Sequence, residues 1–184
     1  MTPGSEMSSE KGYLVVTAVG PDRAGIVSDL SGLIHRAHAN LEDSRMAVLG
    51  GEFALLLLVS GEKRALSGLH EQLKQQESSL GLHLMCKFTS GPRMLSNVLP
   101  YSIRVSGFDR PGIVQSVTGV LARRGINVSA LESRVSNAPL SGTPLFVLEA
   151  ELEIPSEVAL SELRRELASK CDEENLDVTL EARG

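Results

Sequence analysis

The octapeptide Gly-Pro-Asp-Arg-Ala-Gly-Ile-Val at residues 20–27 returns almost unchanged as Gly-Phe-Asp-Arg-Pro-Gly-Ile-Val at residues 107–114. Each copy stands between an alternating apolar run and a run with helical spacing, so one strand-to-helix turn is used twice. The two copies fall in the two halves of a chain of 184 residues. A long-period repeat of this kind predicts two small domains built alike, because each half has the length of an independent domain.

In the first half, Tyr13 to Val19 reads as a strand ending at Gly20-Pro21, and Ile26, Val27, Leu30, Leu33, Ile34 and Ala37 then recur at the spacing of one helix face. The runs 41–49 and 52–60 flank Gly50-Gly51, a pair that accepts the positive φ angles of a tight hairpin. Leu66, Leu69, Leu73 and Leu80 mark a second amphipathic helix, and Leu82, Leu84, Cys86 and Phe88 alternate in a closing strand. The second half repeats the order. Tyr101, Ile103 and Val105 alternate, Ile113, Val114, Val117, Val120 and Leu121 form a helical stripe, and 126–136 and 144–154 pair across a longer loop with Pro139 and Gly142. Ser156 is the expected N-cap of a helix carrying Leu160, Leu163, Leu167 and Cys171 on its buried side, and 176–180 closes the sheet.

The order βαββαβ in both halves predicts an α+β fold of two tandem ferredoxin-like units, each an antiparallel sheet with its helices on one face. The expected divisions are a flexible leader over 1–11, a first domain over 12–89, a linker over 90–99 with Pro92 and Pro100 bracketing it, and a second domain over 100–184.

The first sheet carries a further expectation. Its runs Tyr-Leu-Val-Val-Thr-Ala-Val and Phe-Ala-Leu-Leu-Leu-Leu-Val are apolar on both faces, although helices in this topology cover one. In the second half Ser102, Arg104 and Ser106, and likewise Glu149, Glu151 and Glu153, alternate with apolar residues, which describes a sheet with one wet face. The open face of the first sheet is therefore expected to be covered, by the other half of the chain or by a second copy in a homodimer.

Charge narrows the function classes. Residues 13–89 hold eight acidic and seven basic side chains, and 100–184 hold thirteen and nine, so neither half has the basic footprint that phosphate neutralisation requires. Direct nucleic-acid binding is not expected. Cys86 and Cys171 are far apart, without a CxxC spacing, and fall at apolar positions of their elements, which fits buried thiols in a reducing cytoplasm. The longest apolar run, Phe53 to Val59, is too short to span a bilayer, so no membrane partner is expected, and the polar opening MTPGSEMSSEK has no signal or transit character. No metal site is expected either: His35 and His38 are neighbours without a third ligand, and His70 and His83 read as surface or satisfied histidines. Phosphate-binding loops and GxGxxG are absent, so no cofactor is implied, and no nucleophile stands with a base.

The repeated turn has its own chemistry. Gly25 and Gly112 let the chain turn sharply into a helix and leave room for a ligand near the backbone, and Pro111 suits a first helical turn, where its missing N–H costs nothing. Free amides at a helix start suit a carboxylate, while Asp22 or Asp109 could pair with an ammonium group, so one zwitterion would satisfy both. The plainer alternative has Asp22 and Asp109 capping their helices and Arg23 and Arg110 solvated or paired with Asp.

With Asn40 and Asn127 opening the second strand of each half, and with the phrases NLEDSR (40–45) and NVSALESR (127–134), the repeated turns resemble the ACT domain, a small-molecule-sensing module of βαββαβ topology. The tandem pair is similar to the glycine cleavage system transcriptional repressor family through NLEDSRMAVLGGEFALLLLVSG (40–61) and GTPLFVLEAELEIP (142–155). This resemblance implies amino-acid binding at domain or subunit interfaces near the turns, with glycine the expected effector. It points to Asp22, Arg23 and Gly25 with Asn40, and to Asp109, Arg110 and Gly112 with Asn127. Ala24 stands where the motif has Pro, which sets the first turn apart.

Two function classes follow. One is an amino-acid-sensing regulator of glycine cleavage operon transcription, indirect because neither a helix-turn-helix nor a basic surface is legible, and so dependent on a DNA-binding protein partner. The other is a regulatory subunit that allosterically controls an amino-acid metabolic enzyme. A catalytic activity of its own is not expected, since the two modules use up the chain.

Overall fold

The computed structural model describes residues 10–92, 96–137 and 142–183. The chain divides into two compact units. The first contains β1 (Lys11–Pro21), α1 (Ile26–Arg36), β2 (Asn40–Leu49), β3 (Glu52–Glu62), α2 (Lys63–Leu80) and β4 (His83–Thr89). The second contains β5 (Val98–Phe108), α3 (Ile113–Arg123), β6 (Asn127–Asn137), β7 (Pro144–Pro155), α4 (Leu160–Glu173) and β8 (Leu176–Ala182). Both sheets are antiparallel, in the orders β2-β3-β1-β4 and β6-β7-β5-β8, which is the tandem ferredoxin-like α+β fold that the repeated element order implies. The expected leader up to residue 9, residues 93–95 of the expected linker, and Pro139 lie outside the described residues.

Period two decides what each strand buries. Leu14, Val16 and Ala18 of β1 and Phe53, Leu55, Leu57 and Val59 of β3 lie in the core because alternate side chains point toward the helices. Ile26, Leu30, Leu33 and Ile34 of α1 and Leu66, Leu69, Leu73 and Leu80 of α2 meet them at one-face helical spacing. In the second unit Ile103, Val105, Leu148, Ala150 and Leu152 pack against Val117, Val120 and Leu121 of α3 and Leu163, Leu167 and Cys171 of α4. Val27 and Val114, though part of the apolar stripes, are exposed in the first turns of α1 and α3.

The hairpin at Gly50-Gly51 has φ angles of 62° and 86°, the left-handed pair that glycine adopts without strain. β2 and β6 each carry a bulge at the same place relative to their opening asparagine, between Leu41 and Asp43 and between Val128 and Ala130. The extra residue of the first bulge, Glu42, accepts hydrogen bonds from Ser60 Oγ at 2.5 Å and Lys11 Nζ at 3.1 Å. That satisfies Ser60, a buried polar side chain that would otherwise cost stability.

Three local expectations differ from the structure. Ser156 does not cap α4: its N–H donates to Asn97 O at 3.0 Å, a turn closes from Pro155 to Val158, and the helix starts at Leu160 with Ala159 as N-cap. Pro111 precedes the N-cap, because Gly112 occupies the cap in a left-handed conformation and α3 starts at Ile113. β5 starts at Val98, so Pro100 lies inside the strand, opposite Glu153. Its position near the strand end, past the last β8 partner at Tyr101, is one where a missing N–H is tolerated.

The two open sheet faces differ as the alternation implies. Ser102, Arg104, Glu149 and Glu151 share the open face of the second sheet, where Arg104 pairs with Glu149 and Arg183 with Glu151. On the first sheet the corresponding face carries Val19, Leu56 and Met85, which are 40%, 46% and 67% exposed.

Candidate functional site

Each repeated turn is held at its start by a backbone bond to the neighbouring hairpin: Asp22 N–H donates to Gly51 O and Asp109 N–H to Pro144 O, both at 3.1 Å. The chain then passes through Gly25 (φ 92°, ψ −9°) or Gly112 (φ 96°, ψ −7°), and the first helical bonds close as Asp29 N–H to Gly25 O and Ser116 N–H to Gly112 O at 2.9 Å. Among the described residues no side chain caps either helix, so Asp22 and Asp109 are not the caps that the plainer reading required. The next amides of each first turn have no partner within their helix, as at any helix start. The Asp22 and Asp109 side chains are exposed and enter no hydrogen bond or ion pair among the described residues. A Cβ added at Gly112 would meet nothing within 4 Å among the described residues.

The arginines do something the sequence did not disclose. Arg23 Nη2 reaches Asp29 Oδ2 at 2.9 Å and the backbone carbonyl of Leu80, the last residue of α2, at 3.3 Å. Arg110 Nη2 reaches the carbonyl of Glu174, the C-cap of α4, at 2.9 Å and its Oε2 at 2.8 Å. In both units a guanidinium sits against the negative end of the second helix, where a cation is favoured, and ties it to the start of the first helix. In the second unit Ser116 Oγ and Lys170 Nζ also bind Glu174, and with Arg110 beside them they hold its carboxyl below the usual carboxylate range.

The opening glycine of each motif is a second feature that pattern reading missed. A Cβ at Gly20 would stand 2.7 Å from Gly81 O, and one at Gly107 would stand 2.6 Å from Leu176 Cδ2 and 3.1 Å from Asn175 O. Both strands therefore run hard against the left-handed residue after the second helix, Gly81 or Asn175. The signal for this was the glycine itself, standing at one place in both repeats.

Asn40 and Asn127 lie elsewhere in their own units. Asn40 pairs with Ser60 while the first turn hangs from Gly51, so the length of β3 separates them, about 25–30 Å at the usual rise per residue. Asn127 is likewise opposite Glu153, whose Oε2 accepts from its Nδ2 at 2.6 Å, and Asp109 hangs from Pro144. Within one unit the structure brings Asp, Arg and Gly together and leaves the asparagine at the far end of the sheet.

A groove of about 590 Å³ runs beside the first turn between Gly20, Pro21, Glu52, Glu77 and His83. In the second unit one concavity, of about 450 Å³, lies on the open sheet face among Arg104, Glu132, Glu149 and Thr179, and another, of about 460 Å³, lies among Arg123, Arg124, Glu162 and Glu166. Among the described residues no group of three or more His, Cys, Asp or Glu side chains is placed to hold a metal ion, and no helix is long and apolar enough to cross a membrane.

Residues 12–87 and 101–168 each match the family described as ACT domain. The chain belongs to the ACT-domain family. This tandem ACT-domain protein is 28% identical over 170 residues to the glycine cleavage system transcriptional repressor of Escherichia coli strain K12, covering 91% of this chain and 88% of the relative. The crystal structure of an unknown protein from Galdieria sulphuraria superposes with a TM-score of 0.80 at 34% identity, over 95% of this chain and all of the other. That of a putative glycine cleavage system transcriptional repressor does so with a TM-score of 0.72 at 27% identity, over 95% and 99%. These likenesses support a regulatory role and point away from an enzyme.

Proposed function

We infer that this ACT-domain protein senses a small amino acid, glycine foremost, and regulates transcription of a glycine cleavage operon through a DNA-binding protein partner in the cytoplasm. The observation that carries the reading is the turn repeated in both units: a helix start beside an exposed aspartate, the start uncapped and the aspartate unpaired among the described residues. A ligand carboxylate is stabilised by the free amides and helix dipole, and its ammonium group by Asp22 or Asp109. Gly25 and Gly112 let the ligand approach the backbone, and Arg23 and Arg110 position the turn by bracing it to the second helix. Asn40 and Asn127 stand too far from the turns of their own units, so they join a site only from a neighbouring unit or copy. A ligand bridging such parts favours the arrangement in which it bridges, by its difference in affinity for the two. The net charge of −5 supports action through a partner rather than on DNA directly.

The test is the melting temperature against a panel of amino acids at concentrations far above a millimolar dissociation constant, since a ligand of the folded state must stabilise it. Glycine or a close relative raises it selectively, and Asp109→Ala, at an exposed side chain, abolishes the rise without changing the ligand-free melting point. No rise with any amino acid, or an undiminished rise in both Asp22→Ala and Asp109→Ala, refutes the site.

A further inference from the structure

The two units share a fold but not an open face, so one serves as an internal control for the other. Val15 and Leu58 face each other across β1 and β3 where Ser102 and Glu151 do in the second sheet. Thr17 and Leu56 likewise correspond to Arg104 and Glu149. The fold therefore tolerates a charged open face, and the apolar face of the first unit answers to something beyond folding.

Strand register arranges that face in rows. One row reads Asp43, Leu58, Val15, Lys87 from β2 to β4, and the next reads Arg45, Leu56, Thr17, Met85. The centre is mostly apolar and charge sits on the two edges. Asp43 and Lys87 are exposed, stand at opposite ends of one row, and form no ion pair among the described residues. The charged open face of the second unit is a poor match, because packing it on aliphatic side chains would strip water from the Arg104–Glu149 and Arg183–Glu151 pairs.

We propose that the open face of the first sheet is the contact between two copies of this chain, related by a twofold axis along the strands. Rotation about that axis reverses strand order, so Asp43 of each copy stands over Lys87 of the other while Leu58 meets Val15. At about 4.8 Å between strands and 6.8 Å between rows, four rows of four strands cover roughly 500 Å² on each copy. Both copies together bury about 1,000 Å², the lower limit for a specific interface, which is the size of a weak and reversible association. This contact does not depend on the amino-acid site and stands or falls separately from it.

The test is sedimentation velocity of the full chain without ligand, across a series spanning the micromolar range. The wild type shows a concentration-dependent monomer–dimer equilibrium. Leu56→Lys, at a side chain outside the core, leaves the fold intact by circular dichroism and raises the dimer dissociation constant at least about a hundredfold. Asp43→Lys and Lys87→Asp each weaken self-association about tenfold or more, and mixing these two variants restores it, because every edge contact is then between opposite charges. A wild type that stays monomeric overturns the proposal, as does a Leu56→Lys protein that dimerises normally or a mixture that fails to associate.

Discussion

Replacing Gly112 by alanine isolates the conformational demand of the turn. The residue has φ 96° and ψ −7°, and among the described residues an added Cβ would meet nothing within 4 Å, so no clash with them contributes. What remains is the penalty for holding an L-residue on the left-handed side, about 1–2 kcal/mol. For a domain of this size that lowers the melting temperature by roughly 4–16 °C. Gly25→Ala, at φ 92°, produces a similar drop in the unfolding of the first unit. Asparagine tolerates positive φ better than alanine, so Gly112→Asn loses less. The assay is calorimetry of the three variants beside the wild type, with urea unfolding to show that the m-value is unchanged. If Gly112→Ala melts with the wild type, or Gly112→Asn is as damaged as Gly112→Ala, then the turn does not require its left-handed residue and the account of the open helix start fails.

Two further outcomes follow from titrating groups. Ser116, Lys170 and Arg110 keep the Glu174 carboxyl below its ordinary value, so its contribution is complete above that value and is lost as pH falls through the depressed one. Glu174→Gln therefore lowers the melting temperature at neutral pH and flattens its decline in acid; acid profiles parallel to the wild type would exclude this network as a stabilising element. Burial pushes the Cys171 thiol up to about 11, and burial also raises the partly buried Cys86 thiol. A thiol reagent at mildly alkaline pH thus modifies Cys86 first and Cys171 only on unfolding, which mass spectrometry of the labelled peptides reads directly.

Element order was legible because periodicity reports burial, and burial decides most of this fold. Leu66, Leu69 and Leu73 could belong only to a helix face, and alternation along 82–88 only to a strand. Helix ends were less legible. Ser156 has the chemistry of an N-cap, but its amide is already committed to Asn97 on the sheet, a contact distant in sequence. The turns were found by their repetition, yet the partners of their arginines were not, since those partners are backbone carbonyls. Any residue supplies a carbonyl, and only the fold brings Leu80 to Arg23 or Glu174 to Arg110. The separation of Asn40 from Asp22 was hidden for a related reason. Residues eighteen apart in sequence stand at opposite ends of one sheet, because α1 returns the chain along its whole length.

Duplication lets shared and private features be told apart within one molecule. Both units keep the aspartate, the left-handed glycine, the arginine brace to a helix end, and the bulge after the opening asparagine. The brace is kept in geometry while its acidic partner changes, from Asp29 on the first helix to Glu174 at the end of the second. A purely structural turn needs the brace and the glycine, but it gives no reason for an exposed aspartate that caps nothing at Asp22 and again at Asp109. That leftover carboxylate is what a ligand-binding turn requires and a structural turn does not. The open faces, by contrast, diverged from row to row, Leu56 against Glu149 and Leu58 against Glu151, with strand pairing unchanged. On the proposed readings, recognition shared by both units would belong to their turns, and self-association to the one face that is apolar in the first unit alone.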